Sequence, residues 1–286
     1  MSAHDRRLHA FRPDLADERL RGKVEAERFV PGRLARIVVP VADLRTAPRP
    51  DSGLSSQLLY GDDVRVFEER EGWAWVQAVR DDYVGYVADT VLGPAGDAVT
   101  HVIRAPRTFV YPGPDMKLPR SGELSIGSGV AITGFTETRG TRYGILPSGE
   151  AVIAGHLVSS ETVADDFVSV AETLINTPYL WGGNTGFGID CSGLVQLAMR
   201  MTGKDVLRDS DMQAEAIGAA IDPGPGFNRL QRGDLVFWKG HVAIMTDSGN
   251  MIHANGRTML VSFEPLRAAI ERISYLYGGP TGFRRP

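Results

Sequence analysis

The chain has 286 residues, which is long for a single domain and favours two or three domains. Its composition, 43% hydrophobic and 23% charged, is ordinary for a folded globular protein and excludes wholesale disorder. The formal net charge is −4 and no block of lysine and arginine stands out, so binding to nucleic acid or to an anionic membrane surface is not expected.

A single cysteine excludes an intrachain disulfide and a metal site built from several thiolates. No zinc-protease, paired-cysteine or P-loop motif is present, so we expect neither a metal nor a cofactor. The first thirty residues are polar and charged without an apolar signal core, and no stretch approaches eighteen apolar residues. From these features we expect a cytoplasmic protein without a membrane span.

Short β-rich runs dominate the first half of the chain. Residues 1–32 form a polar lead-in, in which 14–25 are predicted to make a short helix. Gly, Asp and Pro separate runs of β-branched and aromatic residues over 33–95, and this spacing predicts a small β-barrel. The predicted strands of this barrel are 36–41, 64–67, 73–79 and 83–87. After a Gly- and Pro-rich linker, 99–158 repeat the pattern more faintly and predict a second barrel.

From residue 159 the hydrophobic period changes to that of helices. The predicted helices are 161–176, 191–201 and a third opening near 209–213, where Ser210 and Gln213 fit a capping box. The predicted strands that follow are 234–238, 241–246, 251–254 and 259–263. Helices followed by antiparallel strands predict an α+β domain over 159–286.

Cys191 lies where a glycine-rich loop runs into an amphipathic helix. The helix dipole and the unpaired N–H groups of a helix start favour the thiolate form of a cysteine. His241 begins a predicted strand and His253 lies on the next, so that the two imidazoles can become cross-strand neighbours. A lone cysteine is usually a small buried hydrophobe, and a lone histidine is usually structural. The three together predict a nucleophile, its base and an orienting group.

Four ordered motifs in the first barrel resemble a bacterial SH3 domain. They are VADLR (41–45), QLLYGD (57–62), GWAWV (72–76) and GYV (85–87). We interpret 33–95 as this domain and 99–158 as a second, divergent SH3-like domain.

Five ordered motifs in the last domain resemble the NlpC/P60 family of cell-wall cysteine peptidases. They are PYLWGG (178–183), DCSGLVQ (190–196), RDSDMQ (208–213), RGDLVFW (232–238) and GHVAIM (240–245). The resemblance implies a reduced papain-like fold and a Cys-His-His triad, which it assigns to Cys191, His241 and His253. The implied architecture is two small all-β SH3-like barrels followed by an α+β papain-like catalytic domain.

SH3 domains ahead of such a domain resemble one subgroup, the γ-D-glutamyl-L-diamino-acid endopeptidases that recycle murein peptides. The resemblance implies cleavage, through a thioester, of the γ-D-Glu–diamino acid bond in peptides with a free amino-terminal L-Ala. It assigns Tyr179 and the N–H of Cys191 to the oxyanion, and Asp190 and Ser192 to the substrate backbone and D-Glu carboxylate. Asp209 and Ser210 match positions that line the pocket for the L-Ala end, although Ser210 also fits a simple helix cap.

In that subgroup the first SH3 domain closes one end of the cleft, where a tyrosine and an acidic residue meet the substrate ammonium. Tyr83 is the best match for the tyrosine. Gly53 occupies the position where the acidic residue is expected, and Asp51 is the candidate replacement. A buried ammonium needs a charge partner, so the sequence predicts a carboxylate nearby.

Three other hypotheses fit parts of the sequence. An exported hydrolase of intact peptidoglycan predicts a signal segment and an open cleft. A non-catalytic module that binds murein peptides predicts loss of a triad member, and lipid acyl transfer predicts an apolar segment facing a membrane. Either meso-diaminopimelate or L-lysine fits as the diamino acid, and the oligomeric state and the role of the second barrel stay open.

Overall fold

A computed structural model describes residues 4–286, and the chain divides into two units, one ending at Thr162 and one beginning at Val163. Each unit is described by itself. Among residues 4–286, no helix combines the length and the apolar character needed to cross a membrane. Short 3-10 helices connect the longer elements at Glu18–Leu20, Asp89–Val91, Ala154–His156 and Pro225–Phe227.

The first part of the first unit is a seven-stranded antiparallel sheet in the order β5-β4-β8-β7-β6-β3-β9, with a parallel pair, β1 and β2, ahead of it. Side chains alternate between buried and half-buried along β4 and β8, as they do in strands with one face on a core. The strands are β1 (Leu15–Asp17), β2 (Arg28–Val30), β3 (Arg33–Ile37), β4 (Val41–Arg45), β5 (Leu54–Leu59), β6 (Asp63–Arg70), β7 (Trp73–Ala78), β8 (Val84–Ala88) and β9 (Leu92–Gly93).

The helix predicted over 14–25 is wrong. In its place lie β1, a 3-10 helix and the turn that leads to β2. Leu15 and the neighbouring Ala16 are both buried, and Leu15 packs with Phe67 and Trp75 of the first sheet. Consecutive buried residues do not fit the single apolar face of an isolated surface helix, so packing against the sheet decides the conformation.

The second part of the first unit consists of two antiparallel sheets, ordered β12-β11-β16-β15-β14 and β13-β10-β17. They enclose a separate apolar cluster that includes Ile103, Leu124 and Val152. The strands are β10 (His101–Ile103), β11 (Arg107–Tyr111), β12 (Gly122–Ser125), β13 (Gly129–Val130), β14 (Gly134–Thr138), β15 (Thr141–Ile145), β16 (Ala151–Ile153) and β17 (Leu157–Ser159). That this region is a divergent SH3-like barrel stays a prediction.

A close backbone contact joins the two β regions of the first unit. Gly129 N donates a hydrogen bond to Tyr60 O at 2.8 Å, and the Tyr60 side chain packs against the core of the second region. Gly61 follows with φ +87°, and a Cβ there would lie 2.2 Å from Gly129 O. Only glycine allows the two backbones to approach this closely.

The second unit places helices first and then a six-stranded antiparallel sheet in the order β18-β23-β19-β20-β21-β22. Its elements are α1 (Phe167–Thr173), α2 (Cys191–Arg200), α3 (Ser210–Ala216), β18 (Ala219–Ala220), β19 (Leu235–Trp238), β20 (His241–Met245), β21 (Asn250–Asn255), β22 (Leu260–Pro265), α4 (Leu266–Tyr277) and β23 (Gly282–Arg285). The predicted helix at Cys191 and the four predicted strands are confirmed. The papain-like character of the domain stays a prediction.

Two parts of the second unit differ from the predicted elements. The first helix is shorter than 161–176, because Asp166 caps it by accepting hydrogen bonds from Val168 N and Ser169 N. The prediction also ended at residue 263 and omitted α4 and β23. Buried residues in α4 recur at helical spacing and join the core beneath the sheet; they are Leu266, Ala269 and Ile273.

Helix α2 is buried from Cys191 to Met199. It lies against β20 and β21, the two strands that carry the histidines. The first residue of a buried helix is thereby held against the middle of a sheet, which gives the candidate nucleophile a rigid support.

Replacing Gly61 by alanine tests the contact between the two β regions. Gly61→Ala should lower the urea midpoint more than Gly72→Ala, because both glycines have positive φ but a Cβ at Gly72 meets nothing within 4 Å. The shared left-handed conformation costs about 1–2 kcal/mol, and overpacking at Gly61 should add about 1–3 kcal/mol. Equal losses in urea denaturation would contradict the close contact.

Candidate active site

The candidate nucleophile lies where a glycine-rich loop meets α2. A Cβ on Gly193 would lie 2.4 Å from Gly183 O, so the loop packs on the helix only because Gly193 has no side chain. Asp190 is the N-cap in extended conformation, and its Oδ1 accepts a hydrogen bond from Gly193 N at 2.7 Å. Cys191 is therefore the first helical residue, and 7% of its surface is exposed.

A buried ion pair fixes this junction. Arg208 is 1% exposed and donates from Nη2 and Nη1 to the two carboxylate oxygens of Asp190, at 2.7 and 3.0 Å. It also donates to Ser192 Oγ at 2.9 Å and to Gly183 O at 3.2 Å, and Gly182 N donates to Asp190 Oδ2 at 2.9 Å. Asp190 thus acts as a helix cap and an ion-pair partner. Substrate contacts by Asp190 and Ser192 stay predictions.

Helix α3 supports the same turn. Gln213 is fully buried, and its Nε2 donates to Ser192 O at 3.0 Å and to Leu207 O at 2.9 Å. The predicted capping box of Ser210 and Gln213 is therefore wrong, since Gln213 turns into the core. Asp209 occupies the N-cap without a side-chain capping bond, and Ser210 is the half-buried first residue of α3. Their proposed contact with the L-Ala end of a substrate stays a prediction.

The thiol of Cys191 is held in its neutral form. Burial, followed by the negative charge of Asp190, raises its pKa to about 12. The N–H groups of Val242 and Ser192 and the charge of Arg208 act in the opposite direction and are outweighed. The expectation that the helix start favours the thiolate is therefore wrong for the resting protein, because desolvation exceeds the effect of the helix terminus.

The two histidines of the second unit are hydrogen-bonded to each other. His241 begins β20, His253 lies within β21, and Nε2 of the first is 2.9 Å from Nδ1 of the second. The register, with Ile244 opposite Ile252, makes them a diagonal pair across neighbouring strands. Val242, the residue after His241, turns its N–H toward the Cys191 thiol. The start of β20 therefore brings the imidazole pair and the thiol into one region.

His241 is also held in its neutral form. Burial lowers the pKa of His241 to about 3, and the neighbouring His253 and Arg272 act in the same direction. Glu264 acts in the opposite direction and only partly compensates. At neutral pH the site thus contains a neutral imidazole that can accept a proton.

Tyr179 lies beside the nucleophile in the second unit. Its N donates to Met259 O at 2.8 Å, which fixes its backbone next to β22. Burial raises the pKa of its phenol well above the usual range, and the neighbouring Cys191 and Asp190 act in the same direction. The hydroxyl therefore stays protonated and can donate a hydrogen bond. The role of Tyr179 at the oxyanion stays a prediction.

The predicted residues of the first unit lie near the β7–β8 turn and the start of β5. Tyr83 is 5% exposed, and its N donates to Asp81 Oδ1 at 3.1 Å. Gly53 precedes β5, and the Asp51 side chain is 76% exposed and paired with Arg49 at 3.4 Å. Substrate contact by Tyr83 stays a prediction.

The sequence alone missed the residues that hold this site together. Arg208 opens the RDSDMQ motif (208–213), and the sequence offers no sign that an arginine at this position is buried. Glu264 and Arg272, which lie behind the histidine pair, belong to the end of β22 and to the omitted helix α4. Within residues 4–286, no three His, Cys, Asp or Glu side chains lie close enough together to hold a metal ion.

Two family models match the chain. Residues 44–92 match the bacterial dipeptidyl-peptidase SH3 domain, and residues 176–278 match the NlpC/P60 family. The crystal structure of an NlpC/P60 family protein from Bacillus cereus ATCC 10987 aligns with a TM-score of 0.72 at 25% identity, covering 88% of this chain and 99% of that one. An NlpC/P60 endopeptidase from Photobacterium damselae shares the fold, with a TM-score of 0.58 at 15% identity, over 92% and 73% of the two chains.

Similar sequences include three named peptidases. Dipeptidyl-peptidase 6 of Lysinibacillus sphaericus is 28% identical over 77% of this chain and 87% of its own length. The γ-D-glutamyl-L-lysine dipeptidyl-peptidase of Bacillus subtilis is 27% identical over 71% and 73% of the two chains. The enzyme of the same name from Bacillus cereus is 37% identical, over 36% of this chain and 32% of its own length.

Removal of the buried arginine tests the ion pair at the helix start. Arg208→Met should lower the free energy of unfolding by about 3–5 kcal/mol, because it leaves the Asp190 carboxylate buried and unpaired. Arg232→Met is the matched control, since Arg232 is 39% exposed and its pairs with Asp166 and Glu172 should contribute about 1 kcal/mol or less. Similar losses for the two variants in urea denaturation would contradict this role.

The neutral state of His241 predicts an acid-sensitive stability. A histidine whose folded pKa is lowered binds fewer protons when folded, so its contribution is complete above pH 6.5 and is lost as the pH falls toward 3. His241→Gln should therefore flatten the fall in urea midpoint between pH 7.5 and 4, while His101→Gln, in the first unit, should not. Equal slopes in all three proteins would contradict the burial of a neutral imidazole.

Proposed function

Because this chain contains an NlpC/P60 hydrolase domain and a bacterial SH3 domain, we propose that it is a cysteine peptidase that cleaves the γ-D-Glu–diamino acid bond of murein peptides. The observation that carries the proposal is the grouping in the second unit of a helix-start thiol and two hydrogen-bonded imidazoles. In this proposal Cys191 is the nucleophile, His241 the base and acid, and His253 the residue that orients His241.

The reaction proceeds through a thioester. Sγ of Cys191 attacks the γ-carbonyl carbon of the D-Glu residue while His241 takes the thiol proton. The tetrahedral intermediate collapses as His241 gives that proton to the nitrogen of the diamino acid, which leaves as the free amine. Water then attacks the thioester with His241 as base, and the released thiol recovers its proton. The acid product is the amino-terminal dipeptide.

The resting protonation states suit a coupled transfer. Burial raises the pKa of the Cys191 thiol and lowers that of His241, so both groups are neutral before substrate binds. Charge appears only as the sulfur attacks and the proton moves, and the same low-dielectric surroundings then strengthen every hydrogen bond to the developing oxyanion.

Two donors are available for that oxyanion. The N–H of Cys191 belongs to the first turn of α2, where N–H groups have no acceptor within the helix. The phenol of Tyr179 stays protonated because burial and neighbouring negative charge raise its pKa. A backbone and a side-chain donor together form the type of oxyanion hole that acyl transfer requires.

The proposed substrate class follows from the relatives. Two of them are named γ-D-glutamyl-L-lysine dipeptidyl-peptidase. The family model that matches residues 44–92 is that of the SH3 domain of bacterial dipeptidyl-peptidases. We propose a free amino-terminal L-Ala, with Asp209 and Ser210 of the second unit at that end. A required free amine directs the enzyme to released peptides rather than to intact wall, in keeping with the expected recycling role in the cytoplasm.

Matched peptides test the substrate. L-Ala-γ-D-Glu-L-Lys, its meso-diaminopimelate counterpart and their N-acetylated forms should be assayed together with intact peptidoglycan. Acetylation should lower kcat/KM by at least about 10²-fold, because it leaves a polar site for the ammonium unpaired. Equal rates for free and acetylated peptides would contradict the free-amine requirement, and faster cleavage of intact wall would favour the exported hydrolase.

Substitution of the nucleophile tests the mechanism. Cys191→Ala should lower kcat on the order of 10⁶-fold, as loss of a nucleophile does in serine peptidases. The thioester should appear in rapidly quenched wild-type enzyme as an adduct on the peptide that contains Cys191. Thermal unfolding of the variant provides the control for folding. Retained activity in Cys191→Ala would exclude the assigned nucleophile.

A further inference from the structure

A carboxylate lies behind the histidine pair. Glu264, next to the last residue of β22, places Oε2 3.2 Å from Nε2 of His253. His253 Nε2 is fully buried, and the contact has the distance of an ion pair without the alignment of a good hydrogen bond. The opposite nitrogen of the same ring, Nδ1, is 2.9 Å from Nε2 of His241. One ring therefore connects the carboxylate to the proposed base.

Two arginines fix the carboxylate in place. Arg272 of α4 donates from Nε to Oε1 of Glu264 at 3.0 Å and from Nη2 to Oε2 at 2.5 Å. Arg257, in the turn between β21 and β22, donates to Oε1 at 3.3 Å. The Glu264 side chain is 11% exposed, and its contacts with His253 and Arg272 hold its pKa well below the usual range. The group facing His253 is therefore an ionised carboxylate, which can only accept hydrogen bonds.

We propose that Glu264 is a positioning residue that sets the tautomers of both imidazoles and thereby leaves Nδ1 of His241 as the proton acceptor. The inference rests on the proposed function, in which His241 takes the thiol proton. A carboxylate oxygen at 3.2 Å requires a hydrogen on Nε2 of His253, because a bare lone pair there would face negative charge.

The hydrogen on Nε2 of His253 determines the positions of the hydrogens on the remaining ring nitrogens of the pair. In a neutral ring with a hydrogen on Nε2, Nδ1 carries only a lone pair, so Nδ1 of His253 accepts from Nε2–H of His241. The neutral ring of His241 then has its own lone pair on Nδ1. With the reverse tautomers, Nδ1 of His241 would carry a hydrogen and could not take a proton from a thiol.

The same network balances charge during the reaction. Arg272 lowers the pKa of His241 and Glu264 raises it, so at rest the two act in opposite directions on this imidazole. When His241 becomes cationic, the Glu264 carboxylate favours the new charge through His253. The groups that face Glu264 are the titratable ring of His253 from β21 and the guanidinium groups of Arg257, from the β21–β22 turn, and Arg272, from α4.

Imidazole nitrogen NMR of the whole protein tests the tautomers directly, without reference to activity. In wild type labelled with ¹⁵N-histidine, at neutral pH, both His241 and His253 should show the Nε2–H form, with resonances assigned from single histidine substitutions. A hydrogen on Nδ1 of either neutral ring would overturn the proposal. This measurement is independent of the proposed reaction, so its result stands even where a variant fails to fold.

Kinetics of the Glu264→Gln variant test whether the tautomer that Glu264 imposes is needed for a normal kcat. An amide can donate as well as accept, so both tautomers of His253 become accessible. We expect kcat to fall about 10²-fold, toward the lower end of the effect of general acid–base catalysis, while KM stays within error, because Glu264 contacts no proposed substrate residue. Glu271→Gln, an exposed change on α4, is the matched control and should leave kcat, KM and both ring spectra unchanged.

The outcomes separate this inference from the proposed function. If Glu264→Gln has wild-type ring spectra, wild-type kcat and an unchanged dependence of kcat on pH, the positioning role of Glu264 is overturned. The proposed peptidase activity would still hold in that case, provided that Cys191→Ala is inactive. Activity retained in Cys191→Ala would overturn the proposed function instead. Appearance of the Nδ1–H form together with a lower kcat in Glu264→Gln supports both.

Discussion

The buried pair of Asp190 and Arg208 is the interaction on which the catalytic unit depends. It joins the glycine-rich loop, the first turn of α2 and the segment before α3 through one guanidinium. The same pair satisfies buried backbone groups of the loop and of the helix start, which are Gly182 N, Gly183 O and Gly193 N. The position of the Cys191 sulfur is therefore set by the Asp190–Arg208 pair, which supports the helix start and is not itself a reacting group.

The chemistry of the site follows from the exclusion of water. Burial disfavours the charged forms of the Cys191 thiol and the His241 imidazole, so neither of these two groups is charged at rest. A helix start next to the sulfur is too weak to reverse this, because a fixed dipole at one terminus does not replace lost hydration. The charged groups stay one layer away, in Asp190–Arg208 on one side and Glu264–Arg272 on the other.

The sequence predicts those parts of the fold that local pattern determines. The helix at Cys191 and the strands of both histidines are predictable, because apolar runs of clear period are bounded by glycine and aspartate. The helix predicted over 14–25 is wrong because Leu15 packs against Phe67 and Trp75, which are distant in sequence, and no local pattern encodes that contact. The pairing of the buried Arg208 with Asp190 likewise depends on the tertiary structure and not on the local sequence. By contrast, α4 could be predicted, because Leu266, Ala269 and Ile273 recur at helical spacing in the sequence.

The burial that neutralises Cys191 also bears on oxidative damage. Peroxides attack the thiolate, so a sulfur that rests as a buried thiol reacts slowly with them. The 286 residues contain no second cysteine, and a sulfenic acid formed here has no resolving thiol within them and depends on a small-molecule thiol for reduction. Shielding of the sulfur therefore takes the place of internal repair.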